Sequence, residues 1–97
     1  MSHNVEEIKK ALEDRKLINC EYRVRRWPKK NADKKLVLEY IQSKFERNRN
    51  YCEYEVNEII LKWQLFDDYA LVRREMFENS LLNRTNDCRN YWIDEET

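Results

Sequence analysis

The chain has 97 residues, 39% charged and 41% hydrophobic, with 19 basic and 19 acidic side chains. That is enough for one small domain with a modest core, filled largely by aromatics (three Trp, six Tyr, three Phe). No apolar run approaches the roughly 18 residues of a membrane span, and MSHNVEEIKK lacks the apolar centre of a secretory signal, so the expected setting is the cytoplasm.

The first predicted element is a helix from Val5 to about Leu17. Val5, Ile8 and Leu12, with Ala11 beside them, form one narrow apolar stripe. Such a stripe needs a cover, either the domain core or a second chain, so a homodimer through this helix is one expectation. Leu17 to Tyr22 reads as a short strand or extended segment. Arg23 to Lys35 holds the only proline, Pro28, which disfavours helix at Trp27 and predicts an extended arm.

Asn31 or Asp33 is suited to cap the next helix. Leu36, Val37, Tyr40, Ile41 and Phe45 recur there at helical spacing, and Arg47 to Asn50 breaks the pattern. Tyr51-Cys52 reads as a short strand. It leads into a helix with Val56, Ile59, Ile60 and Trp63 at i, i+3, i+4 and i+7. A Ser or Thr at position 52 would complete a capping box with Glu55, so Cys52 predicts a weaker helix start.

Gln64 to Phe66 turns the chain. Asp67 is the predicted N-cap of the following helix, and Asp68 adds charge at the positive end of its dipole. Tyr69, Val72 and Met76 form its predicted buried face, with Phe77 at the edge and Asn79-Ser80 at the end. Leu81 to Arg84 and Asn90 to Ile93 read as two strands joined across Thr85 to Arg89. This order predicts an α+β, mainly α fold: a winged helix-turn-helix of three helices and a small antiparallel wing sheet, with an extra N-terminal helix. The expected division is an N-terminal helix and extension over residues 1–22, the winged domain over 23–93, and an acidic tail over 94–97.

Glycine is absent, so positive φ is expected at Asn or Asp, the next most tolerant residues. Asn48, Asn50, Asn79, Asn86 and Asn90 fall where turns are expected. The cysteines Cys20, Cys52 and Cys88 make no CxxC and no Cys/His cluster, which points to reduced thiols. The only histidine, His3, lies near the N-terminus, so neither a metal nor a cofactor is expected. No Ser/His/Asp set, phosphate-binding glycine loop or credible Cys/His pair is present, so the expectation is a protein that is not an enzyme.

Charge is unevenly spread. Residues 23–35 carry seven basic side chains against one acidic, and residues 67–97 carry four against eight. Arg73 and Arg74 lie where a recognition helix would enter the major groove of double-stranded DNA. Alternatively they are structural, with Arg74 pairing Glu78 at i+4. Lys29 and Lys30 on the arm are candidate phosphate contacts, with Trp27 stacking on a base or covering the core. Arg84 and Arg89 flank the wing turn. Of Tyr91 and Trp92, adjacent on a strand, one is expected in the core and the other at the surface.

From about Arg23 to Ile93 the chain resembles an uncharacterised bacterial family, a domain of unknown function that occurs alone or fused to ArsR-type transcriptional regulators. The resemblance is carried by Arg26-Trp27-Pro28-Lys29-Lys30, Lys35-Leu36-Val37-Leu38, Tyr51 with Glu55-Val56-Asn57-Glu58-Ile59, Asp68 with Arg73-Arg74-Glu75-Met76, and Leu81-Leu82-Asn83-Arg84 with Tyr91-Trp92. Three residues depart from the pattern: Cys52 stands where Thr is usual, and Ser80 and Cys88 stand where Gly is usual. These positions concern local stability. The resemblance implies a winged-helix fold and a link to transcription, and no catalytic residues. The leading expectation is a small DNA-binding, regulator-like protein. The alternative is a protein–protein interaction module on the same scaffold, which the acidic C-terminal third favours.

Overall fold

The computed structural model describes residues 5–94. His3 and the acidic residues Glu95 and Glu96 fall outside them. Four helices and a two-stranded antiparallel sheet make a small α+β fold, mainly helical: α1 Val5–Asp14, α2 Asn31–Gln42, α3 Glu53–Lys62, α4 Tyr69–Glu78, β1 Asn83–Arg84 and β2 Tyr91–Trp92. No helix among the described residues is long and apolar enough to cross a membrane.

The apolar stripes converge as their spacing requires. Ile8 and Leu12 of α1, Val37 and Ile41 of α2, Val56 and Ile60 of α3, and Val72 and Met76 of α4 are all buried in one core. Helix α1 therefore lays its stripe on α2 within the same chain, and only Val5 at its start stays 40% exposed. Tyr69, expected on the buried face of α4, is instead exposed. Tyr91 is the core member of the Tyr91-Trp92 pair, and Trp92 is half-buried.

Helix α1 stops at Asp14, three residues before the predicted end, and its stop is chemical. Lys16 has φ 57°, and its N–H donates to Glu13 O at 3.0 Å while Leu17 N–H donates to Leu12 O at 2.9 Å. Those two bonds around a left-handed residue are a Schellman cap, and Leu17 and Leu12, the residues its apolar contact would join, are both buried in the core. Helix α4 ends the same way. Ser80 has φ 61°, its N–H donates to Phe77 O at 3.1 Å, and Leu81 N–H donates to Met76 O at 2.8 Å.

The absence of glycine is met differently from the expectation. Positive φ occurs at Lys16, Tyr22, Asn48, Asp67, Ser80 and Cys88, so only Asn48 of the five predicted asparagines adopts it. Ser80 and Cys88 are two of the positions where glycine is usual in the resembled family.

The predicted arm is shorter and better anchored than its sequence suggests. Helix α2 begins at Asn31, so only Arg23 to Lys30 is non-helical. Lys30 is the N-cap and provides no side-chain bond. Neither Asn31 nor Asp33 caps the helix: Asn31 is its first residue, and Asp33 in its first turn accepts from Arg15 Nε at 2.9 Å. Val24 is buried and bridges Ile18 on one side and Gln64 on the other. Asn19 organises the intervening loop, its Oδ1 accepting from Glu21 N at 3.0 Å and Arg23 N at 2.9 Å. Arg23 turns inward, where Nη2 donates to Leu61 O and Gln64 O and so satisfies carbonyls at the end of α3.

Helix α3 starts with capping-box geometry that sulfur, a weak acceptor, completes only weakly. Glu55 Oε1 accepts from Cys52 N at 2.9 Å, and sulfur takes the place of a hydroxyl in the capping box. That bond holds the Glu55 carboxyl below its ordinary value. At α4 the predicted cap is one residue early. Asp67 sits at φ 59° with its N–H donated to Gln64 Oε1 at 2.6 Å, and Asp68 Oδ1 accepts from Leu71 N at 3.2 Å as the N-cap.

The hairpin after α4 pairs Asn83 with Trp92 and Arg84 with Tyr91. Its strands are two residues each, half the predicted length. Tyr51 adds an antiparallel bridge to Tyr91, with N–H to O distances of 2.8 Å in both directions, so the segment before α3 lies on the open edge of β2. Asp87 ties the turn, accepting from Thr85 Oγ1 at 2.6 Å and Arg89 N at 3.1 Å, and those bonds depress its pKa.

Candidate nucleic-acid interface

Helix α4 stands between two concavities. On one side is a cleft of about 330 Å³ between α4, the start of α3 and the hairpin, lined among others by Glu53, Arg73, Arg74, Phe77, Arg84 and Cys88. On the other is a cleft of about 430 Å³ where the arm and α2 meet α4. At the ridge between them the exposed Arg74 and Glu78 stand on α4, with Ala70 and Phe77 on the wall of the first cleft.

The six candidate residues divide into two groups. Arg73, Arg74 and Arg84 line the first cleft, and Arg89 lies at the nearby hairpin turn. Lys29 and Lys30 sit on the arm between Trp27 and Asn31, two residues that line the second cleft. Within the first group, carboxylates have claimed most of the charge. Arg73 is only 22% exposed; it donates to Asn57 Oδ1 and stands 3.5 Å from Glu53 Oε1, so it fastens α4 to α3. Arg74 reaches Glu78 at 3.9 Å, the i+4 pair read from the sequence. Arg89, 84% exposed, stands 3.7 Å from Asp87.

Arg84 behaves differently. Its guanidinium carbon lies 4.2 Å from the centroid of the Phe77 ring, and Nη1 donates to Cys88 Sγ at 2.9 Å. No carboxylate among the described residues pairs with it. The same holds for Lys29 and Lys30, both exposed. Exposed ion pairs are weak, typically about 0–1 kcal/mol. Arg74 and Arg89 are therefore exchangeable contacts, whereas Arg73 is committed to the fold.

Behind the cleft, the Tyr91 hydroxyl donates to Glu53 Oε1 at 3.3 Å, and burial pushes its pKa up to about 12. Glu53, Asn57 and Tyr91 were not legible as partners of Arg73. They lie on other elements, and helical spacing reports only neighbours three and four residues away. Trp27 is half-buried against the core with its ring centroid 6.3 Å from that of Phe66, so it anchors the arm and also lines the second cleft.

Comparison with known proteins finds no match among curated proteins and none among solved structures. A family model does match, over residues 23–93, which spans the arm, α2 to α4 and the hairpin, and by that match the chain belongs to DUF2087, a family described as an uncharacterised protein conserved in bacteria.

Proposed function

We propose that this chain is a winged-helix protein that acts by binding double-stranded DNA, in the cytoplasm and without catalysis. The order of elements supports the fold. Helix α2, the bridge at Tyr51, helices α3 and α4, then a hairpin whose β2 edge receives Tyr51, is the sequence of parts in a winged helix-turn-helix. On this reading α4 is the recognition helix, β1 and β2 bound the wing, and α1 is an added helix that completes the core. The resemblance to domains fused to ArsR-type regulators supports a place in transcription, and three free thiols are in keeping with a reducing compartment.

The single observation that carries the reading is the position of the unpaired cations. Arg84 lines the cleft on the wing side of α4, and Lys29 and Lys30 lie on the arm between Trp27 and Asn31, which line the cleft on its other side; none of the three has a carboxylate partner among the described residues. A duplex laid on α4 would meet positive charge on both flanks, with Arg74 and Arg89 recruited from weak pairs. Fluorescence anisotropy with a labelled random-sequence duplex tests this. Five phosphate contacts give a slope of log K against log salt of about −4.5. No binding at low salt refutes it.

A second reading, a protein–protein interaction module, is supported by a different observation. Tyr54, Tyr69 and Phe77 expose 70%, 37% and 38% of their surfaces on α3 and α4, where they offer apolar area to a protein partner. Failure of duplex binding together with a captured partner that Phe77→Ser releases would favour it. Homodimerisation would have to use a surface other than Ile8 and Leu12, which α2 covers; sedimentation of the intact chain measures it.

A further inference from the structure

The second cleft has chemistry that duplex binding does not use. Its volume, about 430 Å³, falls within the range of small-ligand sites. Half-buried Trp27 lines it, with Lys34 Nζ over the indole ring, 5.9 Å from the centroid. Lys34 and Lys35 bring two ammonium groups, neither paired with a carboxylate among the described residues. Helix α2 begins beside them without a side-chain cap. From α4 comes Glu75, half-buried and without an ion-pair partner among the described residues. Asn31 and Asn79 add amides, the Asn79 Nδ2 already donated to Glu75 O at 2.7 Å.

A flat aromatic face, two cations and an acceptor-only carboxylate in one cleft form a constellation with a definite complement. The ligand must have a π-face, a negative charge and N–H donors. We propose that this cleft binds an unpaired nucleotide of a single-stranded nucleic acid, with the base stacked on Trp27, the phosphate held by Lys34 and Lys35, and Glu75 accepting from the base edge. Stacking is tolerant of base identity, so Glu75 sets the preference. Guanine presents two adjacent N–H donors on its Watson–Crick edge and suits a carboxylate. Thymine presents one N–H between two carbonyls, which a carboxylate repels. The proposal stands apart from duplex binding, because the cleft lies on the arm side of α4 and its base-binding parts are inaccessible to a paired base.

The test uses the full chain and three labelled probes in one anisotropy assay: a single-stranded thymidine 12-mer, the same strand with one central guanine, and a duplex. The expected result is binding of both strands, tighter with guanine. Trp27→Leu, which keeps an apolar side chain against the core, should weaken the strands roughly ten-fold. Lys34→Gln with Lys35→Gln should reduce the salt slope for the strands by about 1.4. Glu75→Gln should abolish the guanine preference. The proposal is overturned if neither strand binds at low salt, or if Trp27→Leu, folded by circular dichroism, binds as the parent does. Should Trp27→Leu fail to fold, Glu75→Gln decides: a preference lost supports the cleft, and a preference retained, or absent from the parent, overturns it. Strands bound with the duplex unbound would refute the duplex reading and leave this one standing, and the converse would do the opposite.

Discussion

Replacing Lys16 and Ser80 by glycine should stabilise this glycine-free chain. Both residues hold the left-handed position of a Schellman cap, at φ 57° and 61°. Outside glycine that conformation costs about 1–2 kcal/mol, from the approach of Cβ to the following carbonyl oxygen. Glycine removes the clash but enlarges the unfolded ensemble, which returns about 0.4–1 kcal/mol. The net gain is roughly 0.5–1 kcal/mol at each site. Both side chains are exposed, and the caps are built from backbone bonds that glycine keeps. The sites close different helices, so the gains should add, to about 1–2 kcal/mol together. For a domain of this size that is a rise in melting temperature of roughly 4–16 °C. Thermal unfolding followed by far-ultraviolet circular dichroism reads it, with alanine at each site as control. Alanine keeps Cβ and should change little. If Ser80→Ala stabilises as much as Ser80→Gly, the cost does not lie in the left-handed backbone, and the reasoning fails.

Four further outcomes follow from single contacts. Arg73→Ala should cost about 1–2 kcal/mol in denaturant unfolding, because its guanidinium is mostly shielded and bonds Asn57 while Glu53 is half exposed, whereas Arg74→Ala should stay within about 0.5 kcal/mol. An equal, small effect of both would show that Arg73 does not fasten α4 to α3. Glu55 and Asp87 are depressed below their ordinary 4.5 and 3.8, so their contribution is complete above those values and is lost as pH falls through the lower folded ones. Glu55→Gln should flatten the acid limb of a stability–pH curve, and an unchanged limb would remove the capping box as its cause. Tyr40 and Tyr91 are held protonated up to about 12 by burial, against 10.0 when unfolded, so their share of stability is present below 10.0 and fades as pH rises toward 12. Phenolate absorbance should show these two tyrosines ionising last and together with unfolding.

Much of the helical core was legible, because burial and periodicity are the same fact on a helix. Val56 with Ile60, and Val72 with Met76, are buried where their spacing put them. Tyr69 was misread because periodicity cannot say where along a helix the core ends. The cap at Asp67 failed for another reason. A side chain from outside the helix, Gln64 Oε1, takes the Asp67 N–H while that residue sits left-handed, and nothing local to Asp67-Asp68 records it. The positive-φ positions likewise follow from where helices α1 and α4 must stop, not from the tolerance of the residue found there. Among the candidate contacts, the Arg74–Glu78 pair was readable as an i+4 spacing. The inward turn of Arg73 to Glu53 and of Arg23 to the end of α3 was not, since both join segments that only tertiary packing brings together.

The carboxylates that pair with the arginines make the duplex reading testable in the direction of gain. On the α4 ridge, Glu78 stands 3.9 Å from Arg74, with both side chains more than half exposed. If a duplex lies along this ridge, Glu78 opposes it twice, by repelling phosphate and by occupying Arg74. Removing one such charge is worth about 1 kcal/mol near a protein surface, or roughly five-fold in affinity at modest ionic strength. It should also steepen the salt slope by about 0.9, as Arg74 is released to one more phosphate. The fold offers little resistance to the change, since an exposed i+4 pair contributes only about 0.3–0.5 kcal/mol. Asp87 is a poorer site for the same experiment, because its carboxylate also ties the hairpin turn through Thr85 and the Arg89 N–H. Glu78→Gln is therefore the informative substitution. Tighter binding and a steeper slope would locate the duplex on α4. Unchanged affinity, with binding still lost on Lys29→Gln and Lys30→Gln, would move the contact to the arm and leave the ridge, with Phe77 at its edge, to a protein partner.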